Sequence, residues 1–279
     1  MKTHKQTIKY SQAVLTPDIL VEQDGYWGID TNKHLVFNDK AVAKLPQEIP
    51  LYFPFFRKIG DDFFLIVHDN NRKENAWIIS KTGKIQHRFY VGEGAYKVHI
   101  HNDRIFICYS EATIGVCPIG TNRLVIFDIK GNMLEKYDLE FGQELEAICY
   151  YSEHEIALQE YCSLEISILN FMDNKLTKYR TDSEFYADIL TCENGQIYGG
   201  YRSAFLDNEE DIRNGQMNIY EMKKSERKRE ITKGQMLGSV PYFVNRVRSQ
   251  KDGVLVFTDT EAILNVNKVP AFWTVDVNG

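Results

Sequence analysis

The feature that most constrains the fold is a short pattern that recurs along the chain: a strand, a polar turn and a second apolar strand. Each turn contains Asp, Asn, Glu or Gly, residues that favour tight turns. Helical periodicity is nearly absent, so the sequence predicts an all-β protein. The six copies are LVEQDGYWGID from Leu20, KIGDDFFLIVHD from Lys58, HIHNDRIFICYS from His99, YYSEHEIALQEY from Tyr150, LTCENGQIYGGY from Leu190 and RSQKDGVLVFTD from Arg248.

A second hairpin follows every copy of the first. Its turns use Gly83, Gly131 and the Asp173-Asn174 pair, which suit the positive φ angles of tight hairpins. Two hairpins give four strands per unit, and six units in 279 residues give a period of roughly 45 residues. Clear copies are NAWIISKTGKIQHRFYV, NRLVIFDIKGNMLEKYDL, LEISILNFMDNKLTKYRT and QMNIYEMKKSERKREIT, and weaker ones are KHLVFNDKAVAKL and EAILNVNKVPAFWTV.

A single four-stranded unit would expose both of its faces. Stacking such units around an axis buries the faces, and closing the ring leaves only short outer edges. The chain therefore resembles the β-propeller proteins over nearly its whole length. We expect residues 1–279 to form one propeller domain of six four-stranded blades, closed by pairing of the N- and C-terminal strands. Five or seven blades, or a pair of β-sandwiches, are the alternatives.

The segment RLVIFDIKGNMLEKYDL is similar to the outer hairpin of six-bladed propellers of the NHL or lactonase type. The chain has neither the Trp-Asp blade ending of WD repeats nor the repeated Gly-Gly of kelch repeats. The lactonase resemblance implies a divalent metal near the axis, held by Glu, Asn and Asp from different blades. Glu146, Asn170 and Asp188 are residues of these types, but many equivalent choices exist, so no ligand is assigned.

The segment HIHND spells His-x-His-x-Asp, a pattern that could hold zinc. Its Asn102-Asp103 pair, however, aligns with the turns of the sister hairpins, and alternation places His99 and His101 on one face of the preceding strand. A zinc site needs further ligands, and the only later histidine is His154. We therefore predict two structural strand histidines, with a metal pair as the weak alternative, and neither a metal nor a cofactor.

The chain is acidic, with 33 Lys and Arg against 39 Asp and Glu, a net charge of −6 and a pI near 5.7. This charge argues against nucleic-acid binding and suits a basic protein partner. The basic run Lys223 to Lys233 is expected to be a solvated rim, with an acidic contact as the alternative. The five cysteines form no Cys-x-x-Cys pair, the first 20 residues have no apolar core of the kind an export signal needs, and no run of apolar residues is long enough to suggest a membrane helix. These features predict a cytoplasmic protein without membrane contact.

Three connections between first and second hairpins are long: 68–76, 110–122 and 203–216. Equivalent loops of a propeller emerge on one side, and insertions gathered there often mark a binding surface. Ordinary variable loops are the alternative. In 203–216, alternate acidic residues start like a calcium loop, but the later ligand positions do not match, so a solvated acidic loop is expected. The predicted contact residues are Tyr109, Glu111, Tyr201, Phe205, Asp207, Glu209, Glu210 and Asp211.

The sequence contains neither a Gly-x-Ser-x-Gly elbow nor a phosphate-binding glycine loop, so no catalytic residue is predicted. The sequence favours a non-catalytic, protein-binding propeller. Its sharpest form is a cytoplasmic inhibitor or immunity protein that covers a basic protein such as a nuclease toxin. The alternatives are a metal-dependent, lactonase-like sugar hydrolase with an axial site, and an assembly scaffold.

Overall fold

The computed structural model describes residues 2–7, 20–22, 24–30, 32–50, 55–68, 73–113, 117–137, 145–161, 163–182, 187–202, 216–241, 246–249, 254–258 and 271–276. Within these ranges the regular structure is 24 strands and a single turn of 3₁₀ helix, Glu111–Thr113. None of the helical structure in these ranges is long and apolar enough to cross a membrane.

The chain divides into two compact units. The amino-terminal unit comprises Thr7–Glu144 with Thr258–Ala271, and the carboxy-terminal unit comprises Leu145–Phe257 with Met1–Gln6 and Phe272–Gly279. Each unit is built from four-stranded groups in which consecutive strands are hydrogen-bonded neighbours.

The amino-terminal unit contains three separate four-stranded antiparallel sheets. The first has β2 Leu20–Glu22, β3 Gly25–Ile29, β4 His34–Phe37 and β5 Lys40–Lys44. The second has β6 Phe55–Ile59, β7 Phe63–Val67, β8 Ala76–Ser80 and β9 Ile85–Phe89. The third has β10 Ala95–His101, β11 Arg104–Tyr109, β12 Leu124–Asp128 and β13 Met133–Tyr137.

The carboxy-terminal unit also contains three groups of four strands. One group has β14 Leu145–Ser152, β15 Glu155–Glu160, β16 Glu165–Asn170 and β17 Lys175–Thr181. The next has β18 Ile189–Glu193, β19 Gln196–Arg202, β20 Gln216–Ser225 and β21 Glu230–Pro241. The last has β22 Arg246–Ser249, β23 Val254–Thr258, β24 Ala271–Asp276 and β1 Lys2–Thr7.

The terminal strands of the chain belong to the same sheet, because β1 lies beside β24. The first two groups of this unit are also joined, since β17 pairs in parallel with β21 through Arg180 opposite Glu230 and Thr181 opposite Ile231. The single closed-ring domain stays a prediction, as does the number of blades.

Sheets of the amino-terminal unit stack face to face, as strand β7 shows. Its residues Phe64 and Ile66 pack into a core with the preceding sheet, and Leu65 and Val67 pack into a core with the following sheet. Successive side chains of a strand point to opposite faces, so this strand is apolar on both. Each fully buried Leu, Ile or Phe side chain contributes about 1.5–3 kcal/mol relative to exposure.

Fourth strands of these sheets are largely exposed, in contrast to the buried middle strands. Strand β13 is exposed along most of its length, as is β5. First strands contact one another from sheet to sheet, β2 with β6 and β6 with β10, and in the other unit β14 with β18 and β18 with β22. First strands thus lie innermost within each unit, and in the amino-terminal unit Lys and Arg side chains on the exposed fourth strands protect an outer edge.

The predicted turns that fall on described residues form where the sequence placed them, whereas the turns expected within 250–253 and 259–270 lie outside the described residues. Asn102, Asn174 and Asn194 adopt φ angles of 51°, 54° and 49°, and Gly83 and Gly131 adopt 79° and 87°. Asn and Gly tolerate this left-handed region better than other residues. The HIHND segment therefore ends in a hairpin turn between β10 and β11, in which His101 faces Arg104.

Candidate functional site

Two of the three predicted binding loops fall in the amino-terminal unit and are partly described. The first is loop 68–76, of which the structure describes residue 68 and residues 73–76. The second is loop 110–122, of which it describes all residues except 114–116. The third loop, 203–216, is described at Gln216 alone. Its predicted contact residues therefore lie outside the described part of the chain: Phe205, Asp207, Glu209, Glu210 and Asp211.

Asn75 ties the first of these loops to the connection that joins the second and third sheets. Its side-chain amide donates to the Gly92 carbonyl at 2.6 Å, and its side-chain oxygen accepts from the Val91 amide at 2.9 Å. Asn75 is fully buried. A buried amide that satisfies two main-chain groups fixes their position, because breaking either bond leaves a polar group without water.

Tyr109 fixes the same connection from the other sheet. Its hydroxyl donates a hydrogen bond to the Val91 carbonyl, and the Ser110 amide next to it donates to the Gly94 carbonyl at 2.9 Å. Burial raises the pKa of Tyr109 well above its ordinary value, so the hydroxyl remains a proton donor. The segment Val91–Gly94 is thereby held from both of its neighbouring sheets.

The described parts of loop 110–122 fold back onto Val91–Gly94 through close contacts. The Thr113 hydroxyl donates to Ser110 O at 2.6 Å and lies 3.1 Å from Gly120 O. Gly94 has φ +74°, and a Cβ built there would lie 1.9 Å from Thr113 Cγ2. A Cβ at Gly120 would lie 2.9 Å from the main-chain oxygen of Glu93. These glycines allow the loop and the connection to approach each other closely.

Cys117 occupies the centre of this contact. Its Sγ accepts main-chain hydrogen bonds from Glu93 at 3.3 Å and Gly120 at 3.5 Å, and the Tyr90 hydroxyl is 4.0 Å away. Burial alone would raise the pKa of Cys117, but the amides of Glu93, Gly120 and Ile119 outweigh it and lower the pKa. The sulfur is therefore the acceptor around which the loop is organised.

We name Asn75, Val91–Gly94, Ser110–Thr113 and Cys117–Arg123 the loop platform. Its interior is buried at Asn75, Thr113 and Cys117, while Ala112, Pro118 and Thr121 are exposed. The loop platform is thus a small exposed surface on a hydrogen-bonded interior. Rigid scaffolds that carry such loops are a common basis for binding sites.

The two tyrosines that the sequence suggested as surface contacts are buried instead. Tyr109 has 0% of its surface exposed and lies in the core between the second and third sheets. Tyr201 has 1% exposed, and its hydroxyl lies 3.8 Å from Met222 Sδ in the core of the carboxy-terminal unit. Both belong to the packing below the loops. Glu111 begins the 3₁₀ turn, and its side chain lies outside the description.

His99 is a strand residue packed near an aromatic ring. It pairs with Phe106 across β10 and β11, with ring centroids 6.4 Å apart, and its Nε2 is buried without a hydrogen-bond partner. Burial, together with the charges of His101 and Arg57, lowers the pKa of His99 to about 3. The described residues contain no group of three or more His, Cys, Asp or Glu arranged to hold a metal.

Sequence reasoning missed the residues that build the loop platform. The sequence does not indicate Asn75, Thr113 and Cys117 as site residues, because their partners lie in the connection Val91–Gly94 and no local pattern predicts the path of that connection. One signal was present: the segment CPIG, residues 117–120, combines a turn-forming Pro-x-Gly with a small buried side chain.

Comparisons with solved structures identify the fold. The chain is similar to U3-55K, with 8% identity, a TM-score of 0.60 and coverage of 98% of both chains. It is similar to the WD40 repeats of RRP9, with 8% identity, a TM-score of 0.58 and coverage of 97% of this chain and 96% of that one. It is also similar to the computationally designed Ika8 protein, with 7% identity, a TM-score of 0.53 and coverage of 96% of this chain and 98% of that one. No protein-family model matches the sequence, and no curated protein matches it.

The chain is therefore an all-β propeller, and the predicted fold class is confirmed. The solved structures support propeller repeats in general and give no particular support to the NHL or lactonase type. The similarity to the WD40 repeats of RRP9 holds although this chain lacks the Trp-Asp blade ending, because packing of four-stranded units requires the apolar pattern and not that dipeptide.

Proposed function

We propose that this propeller is a protein-binding module and that the loop platform is part of its contact surface. The observation that carries the proposal is the loop platform itself, in which the described parts of loop 110–122 are held by the buried side chains of Thr113 and Cys117 while Ala112, Pro118 and Thr121 remain exposed. A surface that is ordered before binding loses little conformational entropy on association. It is therefore suited to recognition of a folded partner.

The charge of the chain favours a basic partner. The net charge is −6, and loop 203–216 contributes Asp207, Glu209, Glu210 and Asp211 in five consecutive positions. Complementary charge accelerates encounter and selects partners, and its effect weakens as salt is added. These acidic residues are proposed, from the sequence alone, as an electrostatic contact for a basic partner.

The more specific form of the proposal is a cytoplasmic inhibitor or immunity protein that occludes a basic protein such as a nuclease toxin. An occluding protein needs a rigid, complementary surface and no catalytic residue. The cytoplasmic location is proposed from the cysteines, since Cys108, Cys117, Cys149 and Cys192 are all free thiols.

Affinity capture from native cytosol tests the proposal. The bait is the full-length protein beside a variant with Asp207, Glu209, Glu210 and Asp211 all changed to Lys, and captured proteins are eluted from low to high salt. We expect one stoichiometric basic protein that salt releases and the variant fails to retain. Capture of the same protein by both baits, or of none by the wild type, would overturn the electrostatic proposal.

A metal titration addresses the alternative of a lactonase-like hydrolase with an axial metal. A ligand that binds the folded state raises the melting temperature by mass action. We expect no shift when calcium, magnesium or zinc is added to the protein. A saturable rise with one of these metals would favour the hydrolase and justify a screen of lactone substrates.

A further inference from the structure

The hairpin of β20 and β21 ends in a basic turn. The strands are 10 and 12 residues long, and residues 226–229 connect them. The sequence predicted a solvated rim here, and part of it is solvated: four cationic side chains are exposed at or beside the turn. We name these residues the basic tip: Lys223, Arg227, Lys228 and Arg229.

The carboxylate within the turn is already engaged by residues below the basic tip. Lys224 Nζ lies 2.7 Å from Glu226 Oε1, and the Tyr179 hydroxyl donates to Glu226 Oε2 at 2.7 Å. These two hydrogen bonds, with a smaller effect of the Arg229 charge, hold the pKa of Glu226 below its ordinary value. Glu226 and Lys224 therefore largely compensate each other and leave the basic tip positive.

Lys224 is not a free surface lysine. Its ammonium lies 4.7 Å from the Tyr151 ring centroid and 4.9 Å from that of Tyr179, and it donates to the Tyr151 hydroxyl at 3.0 Å. Burial alone would lower the pKa of Lys224, but the hydrogen bonds to Glu226 and Tyr151 raise it instead. This cation–π arrangement anchors the base of the hairpin to the neighbouring group of strands.

The cations of the basic tip have little to neutralise them. In the part of the chain that the structure describes, Lys223, Arg227 and Lys228 have no carboxylate at ion-pair distance. Arg180, on the adjoining strand β17, is also exposed and donates its amide to the Arg229 carbonyl at 3.0 Å. Several cations thus project from one fixed hairpin on a chain whose net charge is −6.

Arg229 occupies a backbone position that disfavours it. Its φ angle is 54°, whereas the hairpin turns after β10, β16 and β18 place Asn102, Asn174 and Asn194 in the same region. Asn and Gly adopt this conformation more readily than Arg, so a charged residue is present here at the expense of stability. Strain of this kind is often associated with a functional residue.

We propose that the basic tip is a docking site for an acidic, carboxylate-rich segment of a partner protein. Exposed guanidinium groups match carboxylates in charge and geometry. A single-stranded nucleic acid fits less well, because it also needs aromatic faces for its bases. Here the ring faces of Tyr151 and Tyr179 lie against Lys224, and Tyr179 has only 3% of its surface exposed.

The test uses the full-length protein in fluorescence anisotropy with two labelled probes: a glutamate-rich peptide and an oligouridylate of the same length. The informative variant is Arg229→Gly, which removes one charge of the basic tip and relieves the backbone strain. We expect it to melt at a higher temperature than the wild type and to bind the peptide about two- to fivefold more weakly. Lost affinity in a more stable protein cannot result from misfolding.

Two further variants complete the test. The triple variant Arg227→Ser, Lys228→Ser and Arg229→Gly should weaken peptide binding about tenfold, since three exposed ion pairs are removed. Lys130→Ser changes the net charge by the same amount as Arg229→Gly in a different exposed turn and should leave binding unchanged. Equal weakening by Lys130→Ser, or tighter binding of the oligouridylate than of the peptide, would overturn the proposal. Unchanged peptide affinity in the triple variant would also overturn the proposal.

Discussion

The side-chain oxygen of Asn75 accepts a hydrogen bond from the main-chain amide of Val91 at 2.9 Å, and both groups are buried. Asn75 precedes β8, whereas Val91 lies in the connection between β9 and β10. One side chain therefore links the edge of a sheet to the segment on which loop 110–122 rests.

Replacing Asn75 with Ala should destabilise the amino-terminal unit. The change leaves the Val91 amide and the Gly92 carbonyl buried without their partner, which lowers the free energy of unfolding by about 1–3 kcal/mol. Urea denaturation followed by tryptophan fluorescence measures the effect. Gln86→Ala, at an exposed position of β9, is the control and should be neutral. Equal midpoints for the two variants would contradict the role of Asn75.

Gly94→Ala should be more damaging than Gly60→Ala, although both glycines have positive φ angles, +74° and +54°. A Cβ at Gly94 would lie 1.9 Å from Thr113 Cγ2, whereas nothing lies within 4 Å of one at Gly60. We expect backbone strain of about 1 kcal/mol at Gly60 and at least twice that at Gly94. Denaturant midpoints of both variants give the comparison.

The stability that Gly94→Ala loses should be partly restored by a second substitution, Thr113→Ser. It removes Cγ2 and keeps the hydroxyl that bonds to Ser110, so it should recover part of the loss when combined with Gly94→Ala. If Gly94→Ala and Gly60→Ala lower stability equally, the loop does not pack on the connection as described.

Acid should destabilise the protein partly through His99. Its pKa is about 3 in the folded protein and 6.5 ordinarily, so between these values the unfolded chain binds more protons and stability falls as the pH is lowered. The contribution is at most about 1.4 kcal/mol per pH unit. His99→Leu should flatten the dependence of the unfolding free energy on pH in this window. Gln86→Leu, at an exposed and uncharged position of β9, is the control and should leave the slope as it is, and identical slopes for both variants would refute the assignment.

Cys117 should be the first of the four described thiols to react with iodoacetamide. The thiolate is the nucleophile, and the amides around Cys117 lower its pKa, whereas burial raises the pKa of Cys108, Cys149 and Cys192. Mass spectrometry of peptides after brief alkylation in mild denaturant measures the order. Faster modification of Cys108 or Cys149 would contradict it.

The turns and the repeated hairpins could be predicted because their determinants are local. Asn102, Asn174 and Gly83 need positive φ angles that few residue types accept, and apolar runs mark the strands between them. The burial of Tyr109 was also within reach of the sequence. Alternate residues of a strand point to the same face, so on β11 the side chain of Tyr109 lies on the same face as those of Ile105 and Ile107, which both pack in the core.

The loop platform could not be predicted, because its bonds join residues far apart in sequence. Cys117 and Glu93 are 24 residues apart, and nothing in the neighbourhood of either indicates the other. The same holds for the basic run, where Lys224 contacts Tyr151 across 73 residues. The composition of the run predicted its exposed cations but not the tyrosines that hold its base.

Hydrogen–deuterium exchange of the full-length protein, alone and with its captured partner, tests the central claim most directly. We expect the partner to slow exchange in loop 203–216 and in the described loop platform, around residues 91–94 and 117–123. The basic tip, which has the opposite charge, should be unaffected by a basic partner. Protection confined to other surfaces, with the loop platform and loop 203–216 unchanged, would contradict the account.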